Sequence, residues 1–325
     1  MRKLVLVTDP IHEQAMALLN SEAEATLALP DVPISEQMKG VSALLVRRRL
    51  GPEVVAAADL LEVIARHGVG LDFIPMEAAT AHRIPVVYAP FSNTDSVVEH
   101  TLAFMLALSK DLCTKSALAK SGRWNEGRFP LGIELRGRTV GIIGLGRIGS
   151  RVAQTCREGF GMRVLAFDPA IDAAQAGALG VQLVKKRADL LQEADFVTLH
   201  APLIPQTQGI IGAEALAMMK PTAYLINAAR GALVDEVALN RALAEHRIAG
   251  AALDVLVDDP PAPDHSLLSL PNVILTPHSA ALTEEAFLRM GMDSCGDILR
   301  VFRCERPVSL ANPEIWDDRI TPAKP

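Results

Sequence analysis

Apolar residues in this chain fall in short unbroken runs, separated by longer stretches where they recur every three or four positions. Lys3-Leu4-Val5-Leu6-Val7 opens the series, then Asp9-Pro10 and a helical pattern through Leu19. Residues 43–46, 62–65 and 85–88 are further runs, with helices predicted from about Gly51-Pro52 and over about 76–82. Unbroken runs suit strands covered on both faces, because a half-solvated strand alternates apolar with polar. Strands alternating with helical stretches predict βαβ units, an α/β fold and parallel sheets. From Asp95 an amphipathic pattern continues to about Lys120 and predicts one long helix, closed at Ser121-Gly122 by the conformational freedom of glycine. After a loop with Trp124, Phe129 and Pro130, a second series begins. Residues 139–143, 163–167, 196–199, 223–226, 250–253 and 273–275 predict six strands with helices between them, enough for a doubly wound sheet. Residues 283–302 predict a long terminal helix with Thr283 as N-cap after the apolar Leu282. Residues 258–263 form a turn-dense loop, and the tail after Pro313 is expected to be irregular.

Length and composition narrow the class. A chain of 325 residues with 50% hydrophobic and 22% charged side chains is long enough for two globular domains, each with its own core. A net charge of −6 with only two Trp and two Tyr argues against nucleic acid and against a membrane surface. The four cysteines lack zinc-site spacing and read as reduced thiols, so no metal is expected. The sequence opens without a charged-then-apolar leader and holds no run of about 18 apolar residues, so a cytoplasmic location is expected.

The first candidate chemistry lies in mid-chain. Gly144-Leu145-Gly146-Arg147-Ile148-Gly149 follows an apolar run and precedes a helical pattern, and Asp168 ends the next run. Glycine at 144 permits a tight turn, at 146 a close approach of backbone to a pyrophosphate, and at 149 close packing of helix on strand. The helix N-terminus then offers N–H groups and partial positive charge to phosphates. Such a glycine pattern alone is weak; between strand and helix, with an acid about 20 residues on, it predicts a dinucleotide site. The carboxylate of Asp168 suits a free ribose 2′-hydroxyl and so NAD; Arg163 and Arg187 are the cations left to serve NADP.

Three further groups sit at predicted strand ends, where open α/β sheets bind ligands. These are Arg230 in Asn227-Ala228-Ala229-Arg230-Gly231, the acids Asp254, Asp258 and Asp259, and His278 in Thr276-Pro277-His278. An arginine fork can grip a carboxylate and polarise an adjacent carbonyl. Histidine can give a proton while a nicotinamide gives hydride. A carboxylate on the other ring nitrogen would fix the tautomer and favour the imidazolium. Singly, each has a plainer reading: a solvated arginine, a turn aspartate, a strand-end histidine.

With these motifs on record, the chain resembles the NAD-dependent D-isomer-specific 2-hydroxyacid dehydrogenases over essentially its full length. The resemblance implies two Rossmann-like doubly wound domains with the active site in the cleft between them: residues 1–98 with 287–325 for substrate, and 99–286 for NAD. It implies a catalytic set of Arg230, Asp259 and His278. Cofactor contacts are implied at Gly144, Gly146, Arg147, Ile148, Gly149, Asp168, Ala228, Ala229, Arg230, Asp254 and His278. The loop Arg66-His67-Gly68-Val69-Gly70 resembles the segment whose N–H groups, at Val69 and Gly70, hold the substrate carboxylate. Ala89-Pro90-Phe91-Ser92-Asn93-Thr94, together with Arg47 and Arg49 after a strand, resembles the 3-phosphoglycerate dehydrogenase type and implies substrate contacts at Arg47, Arg49 and Asn93. Chemically, Arg47, Arg48 and Arg49 can hold a phosphate or second carboxylate, or one or two of them can simply face solvent. No regulatory domain of the kind many such enzymes carry is expected here.

One position departs from the family pattern. Asp259 stands where a glutamate is usual, about 1.5 Å shorter in reach. Either the loop moves in, or water bridges to His278, or the pair is weak. The resemblance also implies a homodimer through the long helix and the Trp124–Phe129 loop. The expected reaction interconverts a small D-2-hydroxy acid, 3-phosphoglycerate first, with its 2-oxo acid. Hydroxypyruvate, glyoxylate and other 2-oxo acids stay open, as do formate oxidation and a non-catalytic NAD-sensing role.

Overall fold

The computed structural model describes residues 2–316 and divides into two compact units, Met1–Asn93 with Leu282–Pro325, and Thr94–Ala281. The first unit is built on five parallel strands: β1 (Leu4–Val7), β2 (Glu24–Leu27), β3 (Val41–Val46), β4 (Val63–Arg66) and β5 (Val86–Tyr88), in the order β2-β1-β3-β4-β5. All six residues of β3 are buried, and each of its large apolar side chains contributes about 1.5–3 kcal/mol by leaving water. Alternate strand residues feed two apolar layers. Val5, Val7, Leu45 and Ala65 pack with Ala15, Leu19 and Ile298, whereas Leu6, Leu44 and Ile64 pack with Met38, Val54 and Ala79.

Strand β2 escapes the hydrophobic pattern because it is a mostly exposed edge strand, Glu-Ala-Thr-Leu. Its position decides the topology. The chain leaves β1, pairs β2 on one side and crosses to β3 on the other, so the strand order reverses between β1 and β3. Ligands of open α/β sheets bind at such a reversal, beyond the strands' carboxyl ends. Here those ends carry Thr8, Asp9 and Pro10 on one side and Arg47, Arg48 and Arg49 on the other.

His67, just past β4, is 4% exposed, and its pKa is pushed down to about 3, first by burial and then by the charges of Arg47 and Arg66. The fold therefore favours the neutral ring. Its stabilising contribution is complete above the ordinary value of 6.5 and is lost as pH falls from there towards about 3. Between pH 7.5 and 5 the native chain should lose about 2 kcal/mol more stability than His67→Phe, from proton uptake by the unfolded state alone. Urea unfolding at both pH values checks this; equal losses in the two proteins would show that His67 titrates normally in the fold.

The second unit holds seven parallel strands: β6 (Thr139–Ile143), β7 (Arg163–Phe167), β8 (Gln182–Leu183), β9 (Phe196–Leu199), β10 (Tyr224–Asn227), β11 (Gly250–Leu253) and β12 (Val273–Leu275). Their order, β12-β11-β10-β9-β6-β7-β8, reverses between β6 and β9. The two-residue β8 is too short to be seen in an apolar pattern. Ile143, Leu165, Val197 and Leu225 build one layer, and Val140, Ile142, Val164 and Ile226 the other. Residues 94–98 side with this unit: Val98 lies in its core, and the Ser96 hydroxyl donates to the Ala280 carbonyl at 2.9 Å.

The long helix expected from Asp95 to Lys120 is two helices, Thr94–Lys110 and Leu112–Lys120. Asp111 between them takes the left-handed conformation, φ 52°. The first helix buries Val97, Phe104, Met105 and Leu108; the second buries no residue, so core packing does not hold it on the first axis. A periodicity that continues through a single left-handed residue cannot reveal the break. Gly122, φ 80°, does follow the second helix as expected. Thr283 caps Glu284–Phe302 by accepting from the Ala286 N–H. After Pro313 the chain is not irregular at first: Trp316 donates back to the Pro313 carbonyl at 3.1 Å and is 2% exposed. The remainder of the expected irregular tail, 317–325, lies outside the described residues. Among the described residues no helix is long and apolar enough to cross a membrane, and no cluster of His, Cys, Asp and Glu could hold a metal ion.

Candidate active site

The glycine turn sits beyond β6, at the reversal of the second sheet. Gly144 has φ 93°, and a Cβ there would lie 2.6 Å from the Ala201 nitrogen. At Gly149 a Cβ would lie 2.1 Å from the Gly144 carbonyl oxygen, so helix and turn touch through backbone alone. Gly146 differs: a Cβ added there meets nothing within 4 Å, and Gly146 stands as N-cap of the helix Arg147–Glu158 without a side-chain cap bond. Open space at a helix N-terminus leaves room for a pyrophosphate to approach the backbone N–H groups. Asp168 lies beneath it, its carboxylate accepting from the Leu145 N–H and the Ala170 N–H, both at 2.8 Å. Each oxygen keeps further acceptor capacity for a ligand hydroxyl. Arg163 is occupied elsewhere, with Glu193 at 2.6 Å and Gln182 at 2.9 Å. The residues present thus fit a dinucleotide with a free ribose 2′-hydroxyl.

Beyond β10 the chain turns through Asn227, which is 1% exposed. Its side-chain oxygen accepts from the Ala229 N–H at 3.0 Å, and its amide donates to the Arg230 carbonyl at 2.8 Å. This Asx turn sets the backbone of Ala228, Ala229 and Arg230, all half-buried. The Arg230 guanidinium donates to the Ala229 carbonyl at 2.6 Å.

Beyond β12, His278 has a left-handed backbone, φ 52°, and its Nδ1 lies 2.6 Å from Asp259 Oδ2. The shorter acid therefore reaches the ring directly; no bridging water is needed. A carboxylate only accepts, so Nδ1 carries the hydrogen and Nε2 is the atom presented outward. Both side chains remain accessible, at 34% and 44%. Asp254 is used differently. Its carboxylate is buried against the loop 276–280, accepting from the Thr276 hydroxyl at 2.5 Å, the Ser279 N–H at 2.8 Å and the Ala280 N–H at 2.9 Å. His100 joins it, with Nε2 3.0 Å from Thr276 Oγ1. Nothing in the linear sequence singles out His100, because its partner lies 176 positions away.

The candidate substrate residues of the first unit separate into distinct roles. Arg48 leaves the expected arginine cluster: it clasps Asp9 at 2.6 and 3.1 Å and donates to the Thr8 carbonyl. The Arg48 guanidinium also helps hold the Asp9 carboxyl below its ordinary range against the opposing effect of burial. Arg47 donates to the Pro10 carbonyl at 2.7 Å and lies over the Phe287 ring. Arg49 is the most exposed of the three, 3.7 Å from Asp72. Arg66 pins the glycine loop by donating to the Gly70 carbonyl and to the Val46 and Arg47 carbonyls. The N–H groups of Val69 and Gly70 have no protein acceptor among the described residues. The Asn93 side-chain oxygen is buried without a hydrogen-bond partner.

Residues 102–280 match the profile of the D-isomer specific 2-hydroxyacid dehydrogenase NAD binding domain. A D-3-phosphoglycerate dehydrogenase of Methanocaldococcus jannaschii is 43% identical over 99% of this chain. The chain spans 62% of that relative's length, and 57% and 55% of two further D-3-phosphoglycerate dehydrogenases. A glyoxylate reductase of Korarchaeum cryptofilum is 37% identical over 97% of both chains. Among solved structures, an NADPH-dependent glyoxylate/hydroxypyruvate reductase of Sinorhizobium meliloti superposes with a TM-score of 0.85 at 30% identity, covering 96% of this chain and 97% of that one. The chain belongs to the D-isomer-specific 2-hydroxyacid dehydrogenase family.

Proposed function

We propose that the chain is an NAD-dependent dehydrogenase that interconverts a D-2-hydroxy acid with its 2-oxo acid. The observation that carries the reading is the direct His278–Asp259 pair, on the same sheet edge as Arg230 and the open glycine turn. Bound NADH would supply the hydride. Arg230 orients the substrate through its carboxylate and draws electron density from the carbonyl. His278 gives its Nε2 proton to the carbonyl oxygen, and Asp259 stabilises the imidazolium until that transfer. In oxidation the same nitrogen removes the hydroxyl proton. Asp168 favours NAD over NADP, because a 2′-phosphate beside a carboxylate is repelled.

For substrate we propose 3-phosphoglycerate. The unbonded N–H groups of Val69 and Gly70 suit a carboxylate, the Asn93 oxygen a hydroxyl, and the cations Arg47 and Arg49 a remote phosphate. A screen of NADH oxidation against 2-oxo acids tests this. The phosphorylated substrate 3-phosphohydroxypyruvate should exceed hydroxypyruvate in kcat/KM by at least about 10-fold, the value of one retained charge-assisted bond. Arg49→Ala should narrow that ratio. Equal rates with and without phosphate would favour glyoxylate or hydroxypyruvate, as the full-length likeness to a glyoxylate reductase also does.

We further propose a homodimer. Leu112, Trp124, Phe129 and Leu131 are 52–77% exposed on one helix-and-loop segment, and the helix Leu112–Lys120 buries nothing within its own chain. Light scattering should give twice the chain mass, and Trp124→Glu should halve it; a monomer in the native protein overturns the dimer. All four cysteines are free thiols, which fits a reducing cytoplasm.

A further inference from the structure

We propose that Asp254, Thr276 and His100 form a positioning network that holds His278 in its working backbone conformation, independently of Asp259. The inference rests on the reading of His278 as the proton donor. It assigns a role to His100 and a different one to Asp254 from a contact with nicotinamide.

The geometry is a loop wrapped around one carboxylate. The Asp254 carbonyl accepts from the His278 N–H at 2.8 Å, and its carboxylate accepts from Thr276, Ser279 and Ala280. The residue enclosed by these bonds is His278, whose φ of 52° lies where L side chains are rare. A loop left to itself would relax that backbone, so the bonds on both sides of it over-determine the conformation. Asp254 also donates its own N–H to the Asn227 carbonyl at 2.9 Å, which ties the histidine loop to the turn that carries Arg230.

His100 completes the arrangement from the helix Thr94–Lys110. The only hydroxyl hydrogen of Thr276 is spent on Asp254 Oδ1 at 2.5 Å, so Thr276 Oγ1 can only accept from His100 Nε2 at 3.0 Å. His100 Nε2 therefore carries a hydrogen, and it stands 3.7 Å from Asp254 Oδ1. Phe104 holds the imidazole edge-on with ring centroids 4.4 Å apart. Asp259 meets the ring of His278; this network meets its backbone. The two supports should fail in different ways.

The test uses the full chain with Thr276→Val, His100→Leu and His100→Gln. Thr276→Val and His100→Leu should lower kcat for 2-oxo acid reduction by about 10- to 100-fold. NADH affinity, read from the fluorescence of the bound cofactor, should stay within about twofold, because a positioning role leaves the cofactor's own contacts intact. His100→Gln keeps an N–H donor and should recover most of the rate. In parallel, the ring resonances of His278, assigned by their loss in His278→Gln, should shift in Thr276→Val. Unchanged kcat and unchanged His278 resonances in Thr276→Val overturn the network. So does a loss of NADH affinity with kcat preserved at saturation, which would place Asp254 and its partners on the cofactor. Absence of turnover in the native protein would sink the functional reading alone, and the resonance shift would still decide the network.

Discussion

His278→Ala is expected to lower kcat for 2-oxo acid reduction by about 10³-fold, within the 10²–10⁴ that a positioned general acid contributes. NADH binding should survive, because the side chain acts on the substrate's oxygen. Arg230→Ala should cost at least as much in kcat/KM, since it removes both a carboxylate clamp and the polarising charge. Asp259 separates these from a structural effect. With its Oδ2 2.6 Å from Nδ1, its carboxylate can only accept there and so fixes the ring's tautomer. In Asp259→Ala the ring loses the acceptor that fixes its tautomer and orientation, and kcat for reduction should fall by about 10-fold or more. Asp259→Glu should be tolerated, because the position is exposed and the longer side chain has room to reach the same nitrogen. Steady-state rates from pH 5 to 10 read all four variants. Full turnover in His278→Ala and Arg230→Ala together would remove the proposed chemistry, and full turnover in Asp259→Ala would remove Asp259 from it.

The second large effect lies in the glycine turn, where two neighbouring glycines should respond in opposite ways. Gly149→Ala places a Cβ 2.1 Å from the Gly144 carbonyl oxygen, a backbone atom that cannot swing aside. The variant should lose stability, visible as a lowered Tm, along with NADH binding. Gly146→Ala adds a Cβ that meets no protein atom within 4 Å, so its Tm should match the native protein's within about a degree. Its NADH affinity should nonetheless fall about 10²-fold or more, since a methyl group at that position would hold the pyrophosphate away from N–H donors worth about 1.5–3 kcal/mol each. Calorimetric titration with NADH beside a thermal melt tests the pair. Native affinity in Gly146→Ala would mean that the phosphates lie elsewhere, whatever the pattern of glycines.

Much of this arrangement is local and so was legible in the order of residues. The strand runs at 139–143, 163–167, 196–199, 250–253 and 273–275 coincide with observed strands; those at 139–143, 196–199 and 250–253 are buried throughout, which demands a continuously apolar run. The glycine spacing is likewise local, since the turn at Gly144, the open backbone at Gly146 and the helix packing at Gly149 all fall within six residues. Arg230 could be found because it follows a strand directly, and its Asn227 brace could have been found as well, as an Asx-turn residue three positions earlier. The edge strands β2 and β8 were not legible, being exposed or very short, and with β2 hidden the reversal between β1 and β3 could not be placed.

By itself, then, the chain's order determined alternating strands and helices, the glycine turn, and the strand ends that bear Arg230 and His278. These depend on periods of two to four residues and on spacings within one turn. Only the tertiary structure decided which of those side chains meet. It brought Asp259 to within 2.6 Å of His278 despite its missing methylene, and diverted Arg48 to Asp9. It broke the helix at Asp111 and set His100 against Thr276 across 176 positions. Such pairings depend on strand order and on the path of the loops between strands, and both are set by long-range packing that no local pattern records.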